Sequence, residues 1–475
     1  MYSKIISFNF KNLIFWSILY SIIFFIQLNS FLSIAILIFP IVGLFFTFFI
    51  SRKSGFIFFL LVIFIFDDNS YNIDKSVYFS SIDVYTLFGH TISKLWTFIW
   101  VILIFFDLLK RKVYIKTSPI KNLMVYLLVM SLFIGVINGN LNYFKEMIND
   151  SRIFVNFFVG FMGIGLYLSK VDDILKIIRL LGLVFLSKII VFISFFFIIL
   201  QTTTVNTFSS DTSFYLAPTF IILYSILSKN NSKIITYIGI ILCILALGIS
   251  ASRGKIFILL FQLFIYLYAI GKLTRTPLFL LLFLIPVALI PLISPEIYRF
   301  LIWKLTSFSV DPEQGISTYI RFIELKNIIS LNLENIFNFI FGSGLGGYWD
   351  SSKYAYGISL FDIDAYTDEW IYNDKFFKPH GNIVFFLLKF GFVGTIYFYF
   401  KIFYNFIKQK RTFKKSSLFF NNQHLEKISI AIFTGIITIS IVAFSSKLQL
   451  LFGIFAGFSA QFTFHQLSKL KQLDT

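Results

Sequence analysis

The chain has 475 residues, 57% of them hydrophobic and 13% charged, with a mean hydropathy of +0.84. This composition excludes a soluble domain, whose surface could not be covered with the polar groups available. A single cysteine, Cys243, excludes a disulfide framework and a cysteine-rich metal site.

Apolar runs of roughly 16–25 residues can cross a hydrocarbon core of about 30 Å as helices. Such runs fall near 12–28, 31–50, 55–66, 92–109, 120–137, 153–168, 174–200, 214–228, 234–250, 255–270, 277–295, 381–407, 429–444 and 449–464. The expected fold class is therefore all-α, a polytopic membrane protein of about fourteen (12–14) transmembrane helices. The first run, about Leu13–Leu28, lacks a small-residue cleavage site and reads as a signal-anchor helix. The expected organisation is an N-terminal group of spans over 1–295, a large external loop over 296–380 and C-terminal spans over 381–475.

The net charge of +18 is a topology signal. With the N-terminus inside, alternate turns are basic: Lys110, Arg111, Lys112, Lys116 and Lys121 in one, Lys408, Lys410, Arg411, Lys414 and Lys415 in another. Both termini are then cytoplasmic, Glu296–His380 faces outward, and no nucleic acid is expected as a partner. No internal repeat is visible, which gives little support to an inverted-repeat transporter.

That topology gathers cations at the outer face. Ser252-Arg253-Gly254-Lys255 lies in a tight turn between two spans, Lys145 and Arg152 close another outer loop, and Lys378 precedes the next span. Tyr319 and Arg321 lie in Ser317-Thr318-Tyr319-Ile320-Arg321-Phe322, expected to open an amphipathic helix running to about Ile329. Fixed cations at a membrane face suit an anionic lipid-linked substrate, and arginine can grip phosphate with two parallel donors. The plainer reading is that these residues snorkel to headgroups or stand solvated. His380, in Pro379-His380-Gly381-Asn382, sits at the mouth of a span, where an imidazole can take a proton.

Gly342-Ser343-Gly344-Leu345-Gly346-Gly347 has no Lys-Ser/Thr after it, so nucleotide binding is rejected in favour of a flexible bend. Asp362, Asp364, Asp368, Glu369 and Asp374 read as a solvated acidic loop. Tyr348, Trp349, Tyr354, Tyr356, Tyr366, Trp370 and Tyr372 would either stack on sugars or pack the loop. Lys188 and Lys389 fall within spans, have no evident acidic partner in sequence, and are costly there unless functional.

Four elements in order resemble the O-antigen polymerase and O-antigen ligase superfamily: Ser252-Arg253-Gly254, the loop helix with Arg321, Phe341-Gly342-Ser343-Gly344-Leu345-Gly346, and Pro379-His380-Gly381-Asn382 through Gly391-Phe392-Val393-Gly394. The likeness covers about Ser250–Gly394. It departs from the family at Gly381, which separates the histidine from the asparagine, and at Lys389, where relatives often carry an acid. The resemblance implies an inverting, metal-independent glycosyltransferase of the membrane-embedded C type, without a cofactor, in the bacterial inner membrane. Its implied partners are an undecaprenyl-pyrophosphate-linked oligosaccharide donor and acceptor, the lipid bilayer, and a chain-length regulator protein. By that analogy Arg253 and Arg321 hold the pyrophosphate and His380 deprotonates the incoming hydroxyl. Lys145, Arg152, Lys255, Tyr319, Lys378, Asn382 and Lys389 would line the substrate. Polymerase is the first expectation, ligase the second, and a flippase of lipid-linked glycan the third.

Overall fold

The computed structural model describes residues 10–28, 38–65, 90–111, 118–199, 216–227, 232–249, 253–269, 312–358, 360, 366–420, 423–442 and 446–471. The described residues are almost entirely helical: α1 (Phe10–Leu28), α2 (Ile38–Phe45, continued by a π-helical turn at Phe46–Ile50), α3 (Arg52–Ile65), α4 (His90–Arg111) and α5 (Pro119–Ile137). There follow α6 (Phe144–Tyr167), α7 (Val171–Ile199), α8 (Ala217–Leu227), α9 (Ser232–Ile249) and α10 (Arg253–Ala269). The large loop contributes α11 (Pro312–Leu333), α12 (Ile336–Phe341) and α13 (Asp368–Tyr372), and the chain closes with α14 (Asn382–Phe420), α15 (Gln423–Val442) and α16 (Ser446–Lys471).

Each apolar run read from the sequence overlaps a described helix except 277–295, which lies wholly outside the described residues, as do 31–37 of the second run. Three stretches are long and apolar enough to cross a membrane: Pro119–Ile137, Val171–Ser194 and Asn382–Lys414. Shorter apolar helices run over Asn12–Ile23, Ile41–Ile50 and Phe257–Tyr268. Large apolar side chains such as Phe49, Phe106, Phe133, Ile396 and Phe400 are exposed on the helix exteriors. Such a surface suits hydrocarbon rather than water.

Aromatic packing fills the interior. Phe185 stacks on Phe220 at 4.6 Å, and Trp100 is enclosed by Phe56, Phe59 and Tyr167. Helices α6 and α16 meet through glycines. A Cβ added at Gly457 would stand 2.8 Å from that of Ile164, and one at Gly160 would press on the backbone of Leu450 and Ile454. Small residues of this kind let two membrane helices approach to backbone contact.

The ends of the bundle are chemically distinct. At one, the Tyr167 hydroxyl donates to Asp107 at 2.7 Å and Lys53 pairs with Asp173 at 2.7 Å. At the other, the turn between α5 and α6 meets the large loop: Lys375 donates to the Tyr143 hydroxyl at 2.6 Å, and Lys145 lies 3.9 Å from Glu369. The α5–α6 turn and the large loop thus share one end.

The loop carries its own apolar core. Ile320, Ile323, Ile328, Trp349, Tyr356, Tyr366 and Phe376 pack together and onto Leu387 and Leu388 of α14. The expected Arg321 helix is longer than the sequence suggested, starting at Pro312 and ending at Leu333. Most loop aromatics therefore fill space inside it, while Tyr372 and Tyr354 remain exposed.

Helix α14 is broken near its start. Gly391 has φ 67° and ψ −175°, a conformation open in practice only to glycine, so Asn382–Phe390 and the stretch after Gly391 are two helices in sequence. A broken helix at membrane depth must satisfy the carbonyls it frees. Asn332 donates to the Leu387 carbonyl at 2.9 Å, and Ser343 covers that of Leu388 with both its N–H (2.8 Å) and its hydroxyl (2.7 Å). Gly344 N–H reaches Lys389 O at 3.2 Å.

Candidate active site

The glycine motif is what caps that break. Its N–H groups are all committed: Gly342 to Asn338 O (2.8 Å), Leu345 to Ser131 O (3.0 Å), Gly346 to Asp150 Oδ2 (2.8 Å), Gly347 to Gly344 O (3.2 Å), besides Ser343 and Gly344 already named. The Asn140 amide spans the carbonyls of Ser343 (2.8 Å) and Leu345 (3.0 Å). No donor is left for a phosphate, and the segment is buried. The expected flexible bend is instead a fastener between α5, α6 and α14.

Lys389 belongs to the same assembly. Its ammonium lies 2.7 Å from Asp150 Oδ2 and donates to Gly347 O at 2.6 Å, with the side chain wholly buried. This corrects two expectations. Lys389 has an acidic partner, supplied by α6, and its charge is spent on that partner and on the glycine segment, so it does not line an open site. Asn382 is likewise buried, and its amide donates to the carbonyls of Ile439 (2.9 Å) and Ser440 (3.0 Å), tying the start of α14 to α15. Its amide nitrogen thus anchors the start of α14. Lys188 donates to Phe64 O at 3.1 Å and lies over the Tyr20 ring at 5.3 Å, which offsets its burial in α7.

His380 stands just before α14. Its N–H donates to Glu324 Oε1 at 2.9 Å and its Nδ1 lies 2.8 Å from Glu324 Oε2. The Tyr366 hydroxyl donates to the same Oε2 at 2.6 Å, and the Tyr366 ring meets the imidazole edge-on at 5.0 Å. Glu324 is almost fully enclosed, whereas His380 keeps 30% of its side chain open. Burial, then the neighbouring carboxylate, pushes the Tyr366 phenol far up, so it stays a donor. Burial pushes Tyr356, 3.4 Å from the Tyr366 hydroxyl, up to about 12.

The expected cations divide. Arg321 lies one helical turn before Glu324 on α11 and is exposed; Tyr319 is half-buried there, its hydroxyl against Gly357. Lys145 is exposed beside Glu369, and Arg152 is half-buried on α6. Lys378 keeps solvent access, yet the surrounding protein desolvates it enough to lower its pKa; the field of Asp150 opposes this and that of Arg152 adds to it. Lys378 is thus within electrostatic reach of both Asp150 and Arg152. The side chains of Arg253 and Lys255, at the start of α10, lie outside the described residues, as do Asp362 and Asp364. Asp374 is not free in solvent: at φ 49° it accepts from Ser351 N–H (3.1 Å) and Oγ (2.7 Å).

Glu324 and Asp150 were not singled out from sequence. Each looks like an ordinary acid on a mixed helix face, and only the fold shows the partner. A cavity of about 200 Å³ lies between α5, α12 and α14 at the helix break, lined by Tyr126, Met130, Ile134, Phe341, Phe390 and Val393 among others. Tyr126 and Tyr397, edge to face at 6.2 Å, stand at its exposed side.

No family model matches the chain, and no curated protein matches it.

Proposed function

We propose that the protein is an inverting glycosyltransferase of the inner bacterial membrane, polymerising oligosaccharide repeats carried on undecaprenyl pyrophosphate. The observation that carries this reading is His380, half-open at the mouth of a broken apolar helix, with Nδ1 on a buried carboxylate. That pairing puts the neutral imidazole's proton on Nδ1 and frees Nε2 to act as a base. The resemblance across Ser250–Gly394 supplies the substrate class, and with it the C-type fold of about fourteen spans and cytoplasmic termini.

In the proposed reaction an acceptor sugar hydroxyl attacks the anomeric carbon from the face opposite the leaving group. The new C–O bond forms as the C–O bond to pyrophosphate breaks, the electron pair leaves with the lipid pyrophosphate, and the hydroxyl proton passes to Nε2 of His380. Negative charge grows on the leaving group, so cations fixed nearby favour the transition state over the bound substrate. Arg321, Arg253, Lys378 and Arg152 are the candidates for that role. The apolar cavity beside Gly391 offers hydrocarbon-like lining for the lipid tail.

A ligase would use the same chemistry on a different acceptor. A flippase reading asks for paired charges within the helix bundle, and Asp150–Lys389 is a buried pair; its members, however, are held by Gly346 N–H and Gly347 O, which suits a lock better than a moving relay. The test is to incubate purified protein with a lipid-pyrophosphate oligosaccharide alone. A ladder of longer lipid-linked products is expected. Reaction only after a second acceptor is added would make it a ligase, and no glycosyl transfer with any acceptor would exclude both.

A further inference from the structure

We infer that Glu324 is the positioning residue of His380: its carboxylate accepts a hydrogen bond from Nδ1–H, which keeps the ring proton on Nδ1, fixes the ring through the same residue's backbone N–H, and so leaves Nε2 as the basic nitrogen. The inference rests on the reading of His380 as the base, and adds a residue that neither the motifs nor the resemblance assigns.

The geometry is more specific than burial of an acid requires. Three donors converge on one carboxylate: His380 N–H on Oε1 at 2.9 Å, and His380 Nδ1 (2.8 Å) and Tyr366 OH (2.6 Å) on Oε2. Two of them come from a single residue, so the carboxylate bridges the backbone and the ring of His380 and restrains both side-chain torsions. Tyr366 closes the third direction, by its hydroxyl on Glu324 and by its ring edge on the imidazole. Phe376 packs on Tyr366 at 4.7 Å and Trp349 on Phe376 at 5.5 Å, so the clamp is held by the loop's apolar core. Glu324 belongs to α11 and Tyr366 to the far side of the loop; the loop therefore folds so as to orient one histidine at its exit. A carboxylate kept only to satisfy a loop would not need the ring nitrogen.

Glu324→Gln separates the two roles. The amide has the carboxylate's shape and keeps one oxygen for His380 N–H, but it turns an NH2 toward Nδ1. Nδ1 must then accept, the ring proton moves to Nε2, and the base is lost while the packing remains. The expected outcome is a kcat lower by about 100-fold or more with KM nearly unchanged. Tyr366→Phe, which removes one donor and keeps the ring, should lower kcat by roughly 10-fold. The tautomer can be read without activity from the nitrogen spectrum of histidine-labelled protein, where loss of one signal in His380→Gln assigns it among four histidines. At neutral imidazole, wild type should carry its proton on Nδ1 and Glu324→Gln on Nε2.

Wild-type kcat in Glu324→Gln while His380→Ala is inactive would overturn the positioning role and leave the base intact. Activity retained in His380→Ala would instead sink the base, and the inference with it. If Glu324→Gln does not fold, the wild-type spectrum decides alone: a proton on Nε2 of His380 contradicts the inference.

Discussion

Gly342 and Gly391 stand backbone to backbone. A Cβ on Gly391 would meet the Gly342 nitrogen at 2.7 Å and the carbonyls of Asn338 and Phe339 at 2.6 Å, and one on Gly342 would meet the carbonyl carbon of Lys389 at 2.6 Å. Both have positive φ, 71° and 67°. Gly391→Ala therefore adds backbone strain of about 1–3 kcal/mol to a collision with backbone atoms that cannot give way. A marked drop in the thermal midpoint of the detergent-solubilised protein is expected, with Gly342→Ala behaving alike. A midpoint equal to wild type in either variant would show that the loop does not clasp the helix break.

The Asp150–Lys389 pair holds the same clasp from the other side. Removing one partner leaves a buried charge uncompensated and should cost about 3–5 kcal/mol. Removing both should cost clearly less than the sum of Asp150→Asn and Lys389→Met, because each single change already forfeits the contact. The double-mutant cycle on thermal stability checks this; additive losses would mean that the two charges do not interact.

Lys378 gives the expected pH dependence. Desolvation lowers its pKa, so with rising pH it loses its charge sooner than an ordinary lysine would. If it binds the pyrophosphate, KM for the lipid-linked donor rises on the alkaline side. Lys378→Arg, which keeps its charge, should shift that rise to higher pH. Coincident KM profiles for the two proteins would remove Lys378 from donor binding.

The cavity at the helix break is testable by filling it. Val393→Trp places an indole in the lining from an exposed position, so stability should change little. KM for the natural long-chain donor should rise by roughly 10-fold, and much less for a short-chain analogue. Equal effects on both donors would mean that the tail lies elsewhere.

Much of the helical framework is legible in the sequence because a membrane helix must be apolar along its length, and the runs record that directly. The contacts between distant segments are not. Gly342–Gly347 and Gly391–Gly394 read as two motifs, yet they are the two faces of one joint. Lys389 has no acid within a turn of its own helix, so its partner on α6 was invisible. Trp349, Tyr356 and Tyr366 resemble a sugar-stacking set, but a long polar loop needs a core of its own, and they supply it. His380 could be singled out from its position at the mouth of a span; Glu324, three residues past Arg321, gave no local sign of facing it.

The most direct measurement is the single-turnover rate of glycosyl transfer from a lipid-pyrophosphate oligosaccharide by purified wild type and His380→Ala, with thermal midpoints recorded alongside. The account predicts a His380→Ala protein that folds and binds donor but transfers sugar about 100-fold to 10,000-fold more slowly. Transfer at the wild-type rate by the folded variant would contradict it.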